Sequence, residues 1–161
     1  MSFQQFLEIG NYWESFIATQ LLANRCPIWY PRQTEKECQG NYKANQMDLA
    51  TFIDGSWQAL EVKSRSETFG TIKEYPYPLV AVGSVERWDV IKFKVFAVII
   101  VSQATGAWGC INYAKTHSYW QKRQLKELAY CVPKALFKPP DSLIRRLSSQ
   151  VQSLPSLTDP E

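Results

Sequence analysis

The chain has 161 residues, enough for one domain with its own core, since a chain of about 150 residues buries roughly 68–70% of the surface its unfolded form exposes. Hydrophobic residues at 45%, charged residues at 20% and an aromatic share of 14% that includes six Trp exclude a disordered chain. Eighteen Lys and Arg against fifteen Asp and Glu leave a net charge of +3, which permits a polyanionic partner without demanding one.

In chain order, apolar residues at Phe6, Trp13, Ile17 and Leu21 predict a long helix over residues 3–24, ended by Cys26-Pro27 because proline disfavours helix at the residue before it. "IWYP" at 28–31 reads as a short strand. The polar stretch 32–46, with Arg32, Lys36 and Lys43, has the composition of a surface loop. A hairpin follows, residues 46–53 and 56–63, divided by Asp54-Gly55, a strong signal for a two-residue type I′ turn. After an irregular segment holding Pro76 and Pro78, apolar runs at 79–83, 95–101 and 108–112 read as strands. "VFAVIIV" at 95–101 is too short for the ~20 residues that span a bilayer and reads as a central strand. Trp120, Leu125 and Leu128 suggest a surface helix over 116–130 with a basic face of Lys122, Arg123 and Lys126; Tyr113, His117 and Tyr119 lie in or near it, the tyrosines as packing at its margin. A short helix around "DSLIRRLSSQV" precedes a frayed tail. The expectation is one α/β (α+β) domain, residues 1–150, with a mixed sheet flanked by helices, and a flexible tail over 151–161.

Cys26, Cys38, Cys110 and Cys131 include no CxxC and there is one histidine, His117, so a zinc site is not expected. The opening "MSFQQFLEIG" lacks the charged and apolar regions of a secretory signal, which points to free thiols in a reducing cytoplasm.

The chemistry concentrates in "NQMDLATFIDGSWQALEVKSRS", residues 45–66. With Asp54 and Gly55 as the loop, Ile53 faces Ser56 and, counting outward, Asp48 faces Glu61. Period-two alternation then puts Asp48, Ala50 and Phe52 on one face with Trp57, Ala59, Glu61 and Lys63. Two opposed carboxylates at ~5 Å between Cβ atoms repel unless a cation lies between them, and oxygen ligands of this kind suit Mg²⁺ or Mn²⁺. Lys63 at the edge of such an ion is placed to orient a water or to stabilise charge developing at phosphorus. A plainer reading stays open: Asp48 caps the start of an edge strand while Lys63 neutralises Glu61. Glu14 adds to the cluster, because Gly10, Ile17, Ala18 and Leu21 surround it on its helix, whereas Glu8 has Gln4, Gln5, Asn11 and Tyr12 as neighbours.

The order Glu14, Asp48, Glu61-Val62-Lys63, within "MDLATF" and "ALEVKSRS", resembles the PD-(D/E)XK nuclease superfamily, which includes restriction endonucleases, archaeal-type Holliday junction resolvases, phage exonucleases and homing endonucleases. Met47-Asp48 stands where that superfamily has its short "PD" element, and the resemblance covers about residues 8–66. It implies a restriction endonuclease-like fold and an intracellular, Mg²⁺-dependent DNA endonuclease in which Mn²⁺ substitutes. Asp48 and Glu61 would bind the metal through carboxylates and Val62 through its carbonyl, Lys63 would position the attacking water, and Glu14 would act through water or a second ion. DNA contacts are expected from Lys43, Arg65 and Lys73, and paired cuts imply a homodimer or homotetramer. The helix that often follows the catalytic strand is poorly supported by "SETFGTIKEYPYPL". The rival from another class is a non-catalytic DNA-binding or assembly subunit that keeps the fold.

Overall fold

A computed structural model describes residues 2–30 and 46–150. Helix α1 (Phe3–Ala23) begins in a reciprocal capping box, the Gln5 amide donating to Ser2 Oγ and the Ser2 amide to Gln5 Oε1. It buries Ile17, Ala18 and Leu21 together with Glu14, and terminates where Arg25 takes a left-handed backbone at φ 61°. Strand β1 (Ile28–Trp29) pairs antiparallel with β2 (Leu49–Ile53), and β2 with β3 (Ser56–Arg65). The β2–β3 turn has φ 50° at Asp54 and φ 80° at Gly55, the two positive values that a type I′ turn requires. The expected register follows from Ile53 opposite Ser56 through to Leu49 opposite Leu60.

Between residues 66 and 78 the helical content is one short turn, Ile72–Glu74, in line with the two prolines there. Strand β4 (Leu79–Ser84) leads into α2 (Val85–Val90), then β5 (Val95–Ser102), β6 (Trp108–Asn112), α3 (Tyr113–Thr116), β7 (Gln121–Gln124), β8 (Leu128–Pro133) and α4 (Pro140–Ser148). One sheet has the order β1-β2-β3-β5-β6 and a smaller one β4-β8-β7. The large sheet is mixed, because β5 runs parallel to β3 while its other pairings are antiparallel.

The two faces of the large sheet bury different partners. On one, Leu60, Val62, Ala97 and Ile99 pack with Ile17 and Leu21 of α1 and Leu143 and Leu147 of α4. On the other, Ala59, Val98 and Ile100 pack with Val80, Val82, Trp88 and Val132 from the small sheet and α2. Strand β5 is covered on both faces, which explains why "VFAVIIV" is a continuous apolar run and not an alternating one. Full burial of each Ile or Leu there stabilises by roughly 1.5–3 kcal/mol.

One expectation is corrected. Residues 116–130 form no surface helix: α3 ends at Thr116, a single tight turn covers His117–Tyr119, and the rest is the β7–β8 hairpin. Leu125 and Leu128, whose spacing suggested the helix, are 55% and 43% exposed around its turn. The true period is two, with Ala129 and Cys131 buried on either side of half-exposed Tyr130. Strand β7 is an edge, and the Lys122-Arg123 pair is typical of edges, where charge discourages pairing with another chain. Tyr113 stacks on Trp88 of α2 at 5.7 Å and on the exposed His117 at 4.6 Å, while Tyr119 is exposed. Cys26, Cys110 and Cys131 are buried free thiols; Cys38 and the tail 151–161 lie outside the described residues. No helix among the described residues is long and apolar enough to cross a membrane.

Candidate active site

The hairpin ladder stops at Leu49 opposite Leu60, and one step beyond it the Asp48 side chain replaces a backbone partner: the Val62 amide donates to Asp48 Oδ2 at 2.9 Å. This fixes the carboxylate beside Glu61, as the register anticipated, and it also makes Asp48 a cap for the end of the ladder. The plainer reading of Asp48 therefore describes one of its two oxygens.

Glu61 is fully buried in the middle of β3. Lys63 Nζ lies 3.7 Å from its Oε2, and Arg87 Nη2 lies 3.5 Å from the same atom. Neither Glu61 oxygen accepts a hydrogen bond, an expensive state for a buried carboxylate. Glu14 reaches the same place from α1, 8% exposed, with Tyr30 Oη at 3.5 Å from its Oε2. Burial first, then the charge and hydrogen bonding of Asp48, and then Glu61, push the Glu14 carboxyl up to about 9, against the opposing pull of Lys63. Burial and Asp48 likewise raise Glu61 to about 8, although Lys63 and Arg87 pull it down. Both shifts run toward the protonated form, the form that eases the crowding of acids.

Sequence reasoning did not find Arg87. It arrives through a bulge: the β4–β8 register shifts between Ala81 and Gly83, Gly83 adopts φ 133°, and Ser84 caps α2 by accepting from the Arg87 amide at 3.1 Å. A Cβ on Gly83 would stand 2.9 Å from Trp88 Nε1 and 3.6 Å from Lys63 Cε, so the bare backbone lets α2 and Lys63 meet. Arg87 Nη2 also donates to the Gln46 carbonyl at 2.9 Å, and its guanidinium lies 5.6 Å from the Phe93 ring centre. Its Nη1 is buried with no hydrogen-bond partner. The legible signal was the Gly83-Ser84 pair, a permissive residue followed by a helix cap.

The donors fit a hard divalent cation in their chemistry: two carboxylates, one with both oxygens unbonded, and no sulfur or imidazole among them. No group of three or more His, Cys, Asp or Glu side chains among the described residues is arranged to enclose a metal ion. Asp48 and Glu61 with the Val62 carbonyl would be the minimal set, leaving the other positions to water and substrate oxygen.

Of the expected DNA-contacting residues, Lys43 lies outside the described residues. Arg65 is committed elsewhere: its guanidinium donates to the carbonyls of Ser64 and Ala81, tying β3 to β4, and burial lowers its proton affinity. Lys73 is exposed and borders a cavity shared with Gln20, Trp108, Phe137 and Pro139, none of them part of the acid cluster. Lys122 and Arg123 are exposed on β7 and Lys126 in the turn beyond it.

No family model matches the sequence, and no curated protein matches it. Among solved structures the chain is similar to the Holliday junction resolvase Hjc of Archaeoglobus fulgidus, at 10% identity and a TM-score of 0.49 over 85% of this chain and 96% of that one. It is also similar to a nuclease from a fusselovirus, at 16% identity and a TM-score of 0.41 over 93% and 88%.

Proposed function

We propose that this chain is a divalent-metal-dependent DNA endonuclease that hydrolyses phosphodiester bonds, acting as a homodimer or homotetramer. The observation that carries the reading is the buried Glu61 carboxylate, unbonded at both oxygens, beside Asp48, Glu14 and two cations. A carboxylate placed so has desolvation to overcome and gains stability from whatever positive charge arrives.

Mg²⁺ or Mn²⁺ held by Asp48, Glu61 and the Val62 carbonyl would supply Lewis-acid polarisation of the phosphoryl group and a more acidic water. The protein's own groups do the rest. Lys63 Nζ, partly exposed beside Glu61, orients the attacking water and offsets charge building on phosphorus. Arg87 positions Glu61: held by the Gln46 carbonyl and Phe93, it favours the ionised carboxylate. Glu14, whose carboxyl is pushed toward the protonated form by burial and by the neighbouring Asp48, lowers the repulsion among the acids. Substrate classes to be distinguished are a four-way junction, a duplex target and a recombination intermediate.

The contacts from Lys63 and Arg87 to Glu61 also suit a non-catalytic DNA-binding subunit, in which two cations replace the metal. Incubation of the full chain with a four-way junction, plasmid duplex and single strands, with Mg²⁺ and with chelator, separates the two. Cleavage restricted to the Mg²⁺ arm is expected; binding without cleavage of any substrate would favour the subunit.

A further inference from the structure

We propose that the N-terminal half of α1 is the interface for a second copy of this chain, the two helices packing antiparallel about a two-fold axis near Phe6. The pairing names the surface behind the self-association in the nuclease reading above, and rests on that reading for its use. Phe3, Leu7, Gly10, Glu14, Ile17 and Leu21 follow one another along α1 at alternating steps of four and three, which puts them on one face of the helix. From Glu14 onward that face is buried, with Ile17 and Leu21 packed on the large sheet. Ahead of Glu14 it is uncovered: none of residues 3–13 is buried, and Phe3 and Phe6 are 68% and 61% exposed.

The uncovered half is an overhang about 16 Å long at 1.5 Å per residue, closed at its tip by the Ser2–Gln5 capping box. A helix of this length is marginal in water without packing, so the stripe calls for a cover. Phe3 and Phe6 leave roughly 250 Å² open, taking about 200 Å² for each aromatic side chain. Half-buried Leu7, Ile9 and Trp13 add to it. Doubled by symmetry, the area falls at the low end of specific interfaces, that of dimers which assemble with concentration.

Charge, shape and side-chain size select a copy of the chain as the occupant. A surface that packs on itself repels its copy if it carries like charges. The one charge among residues 3–13 is Glu8, and it lies off the stripe, where Gln4 Nε2 donates to its Oε1 at 3.3 Å. The segment also holds no Lys or Arg, the residues that flank an apolar stripe seated on a lipid surface. The sheet that covers Ile17 and Leu21 lies on the same side as the stripe, so a parallel partner would run into it. An antiparallel partner carries its own sheet past the tip of the overhang instead, and each overhang fills the step left by the other. With the axis near Phe6, Phe3 of one copy faces Gly10 of the other, where an added Cβ would meet nothing within 4 Å. A large side chain thus enters the hollow left by the smallest residue. Glu14 is the next position of the same repeat, so the interface ends beside the acid cluster.

The test is sedimentation velocity on the full chain in chelator, from about 1 to 100 µM, for wild type, Phe6→Lys, Phe6→Glu and an equimolar mixture of the two variants. Wild type should form a dimer as concentration rises. Each variant alone should raise the dissociation constant tenfold or more, because like charges then meet across the axis, with an unchanged melting temperature at low concentration since Phe6 is exposed. Mixing the variants should restore dimers, now with opposite charges opposed. Dimers equally tight in both variants would overturn the pairing, as would a mixture no tighter than either variant alone. A wild type monomeric throughout overturns it too, and binding of that monomer to phosphatidylcholine–phosphatidylserine vesicles would assign the stripe to a lipid surface. Mg²⁺-dependent nicking by such a monomer would leave the nuclease chemistry standing, whereas a charge-rescued dimer that cleaves no DNA would keep the pairing and overturn the nuclease reading.

Discussion

The two hairpins of this molecule carry charge in opposite ways. In β2–β3 three charged groups converge, Glu61 without exposure, Asp48 bonded to the Val62 amide and Lys63 3.7 Å from Glu61, so that each is coupled to another. In β7–β8, Lys122 and Arg123 stand in solvent on an edge strand, with Arg123 bonded to Gln121 and the Lys122 carbonyl and Lys122 5.8 Å from the Tyr130 ring. The same residue types thus do different work: a central strand raises the stakes of each charge through burial, whereas an edge strand spends charge on keeping other strands away.

The largest expected difference between the hairpins lies in catalysis. Lys63→Ala should lower Mg²⁺-dependent cleavage on the order of a hundredfold or more, while Lys122→Ala changes the single-turnover rate on saturating substrate little; comparable losses in both would place the chemistry elsewhere. Metal response comes next. Asp48→Asn retains an oxygen for the Val62 amide but removes a charge, so thermal melts in chelator should show the variant at least as stable as wild type. Wild type should gain roughly 2.7 kcal/mol at a hundred times the dissociation constant of Mg²⁺ or Mn²⁺, and the variant should lose most of that gain. A clearly destabilised variant with the wild-type metal response would reduce Asp48 to a cap.

Gly83→Ala probes how the buried charges are brought together. With φ 133° and Trp88 Nε1 2.9 Å from the new methyl, it should cost about 1–3 kcal/mol in denaturant unfolding and disturb Lys63, which no alanine in β7 should do.

The effect of pH sharpens the contrast further. Glu14 and Glu61 titrate near 9 and 8 in the fold against 4.5 otherwise, so between those values the native state binds more protons than the unfolded chain. Their contribution to metal-free stability is therefore complete below about 4.5 and lost as pH rises through 8–9. Measured as wild type minus Glu61→Gln, stability should fall from pH 6 to pH 9, and metal affinity should rise over the same interval as protons leave. A flat difference would mean that Glu61 is already ionised at pH 6. The smallest effect belongs to the edge: Lys122→Ala with Arg123→Ala should move stability by no more than about 0.5 kcal/mol per substitution.

The two hairpins also differ in how far the sequence revealed them. Asp54-Gly55 set the turn, the turn set the register, and the register brought Asp48 to Glu61, all from residues adjacent in the chain. Glu14 was legible because an acid on an apolar helix face conflicts with its neighbours. In β7–β8 the local signals conflicted: leucines at helical spacing belonged to an exposed turn, and only the small sheet, a tertiary feature, decides that Ala129 and Cys131 face inward. Arg87 was hidden for a related reason. Its approach to Glu61 depends on the bulge in β4 and on the docking of α2, which no local spacing encodes. Arg65 likewise read as a free cation until the Ala81 carbonyl claimed it.

The bond from the Val62 amide to Asp48 Oδ2 joins the candidate site to the backbone ladder. Val62 sits in a central strand, pairing with Ile99 of β5, where amide protons ordinarily exchange with solvent only when the protein opens widely. Here the acceptor is a side chain that a cation would also attract. A cation bound at the proposed site would therefore change the exchange rate of that single core amide, a readout that needs neither substrate nor turnover.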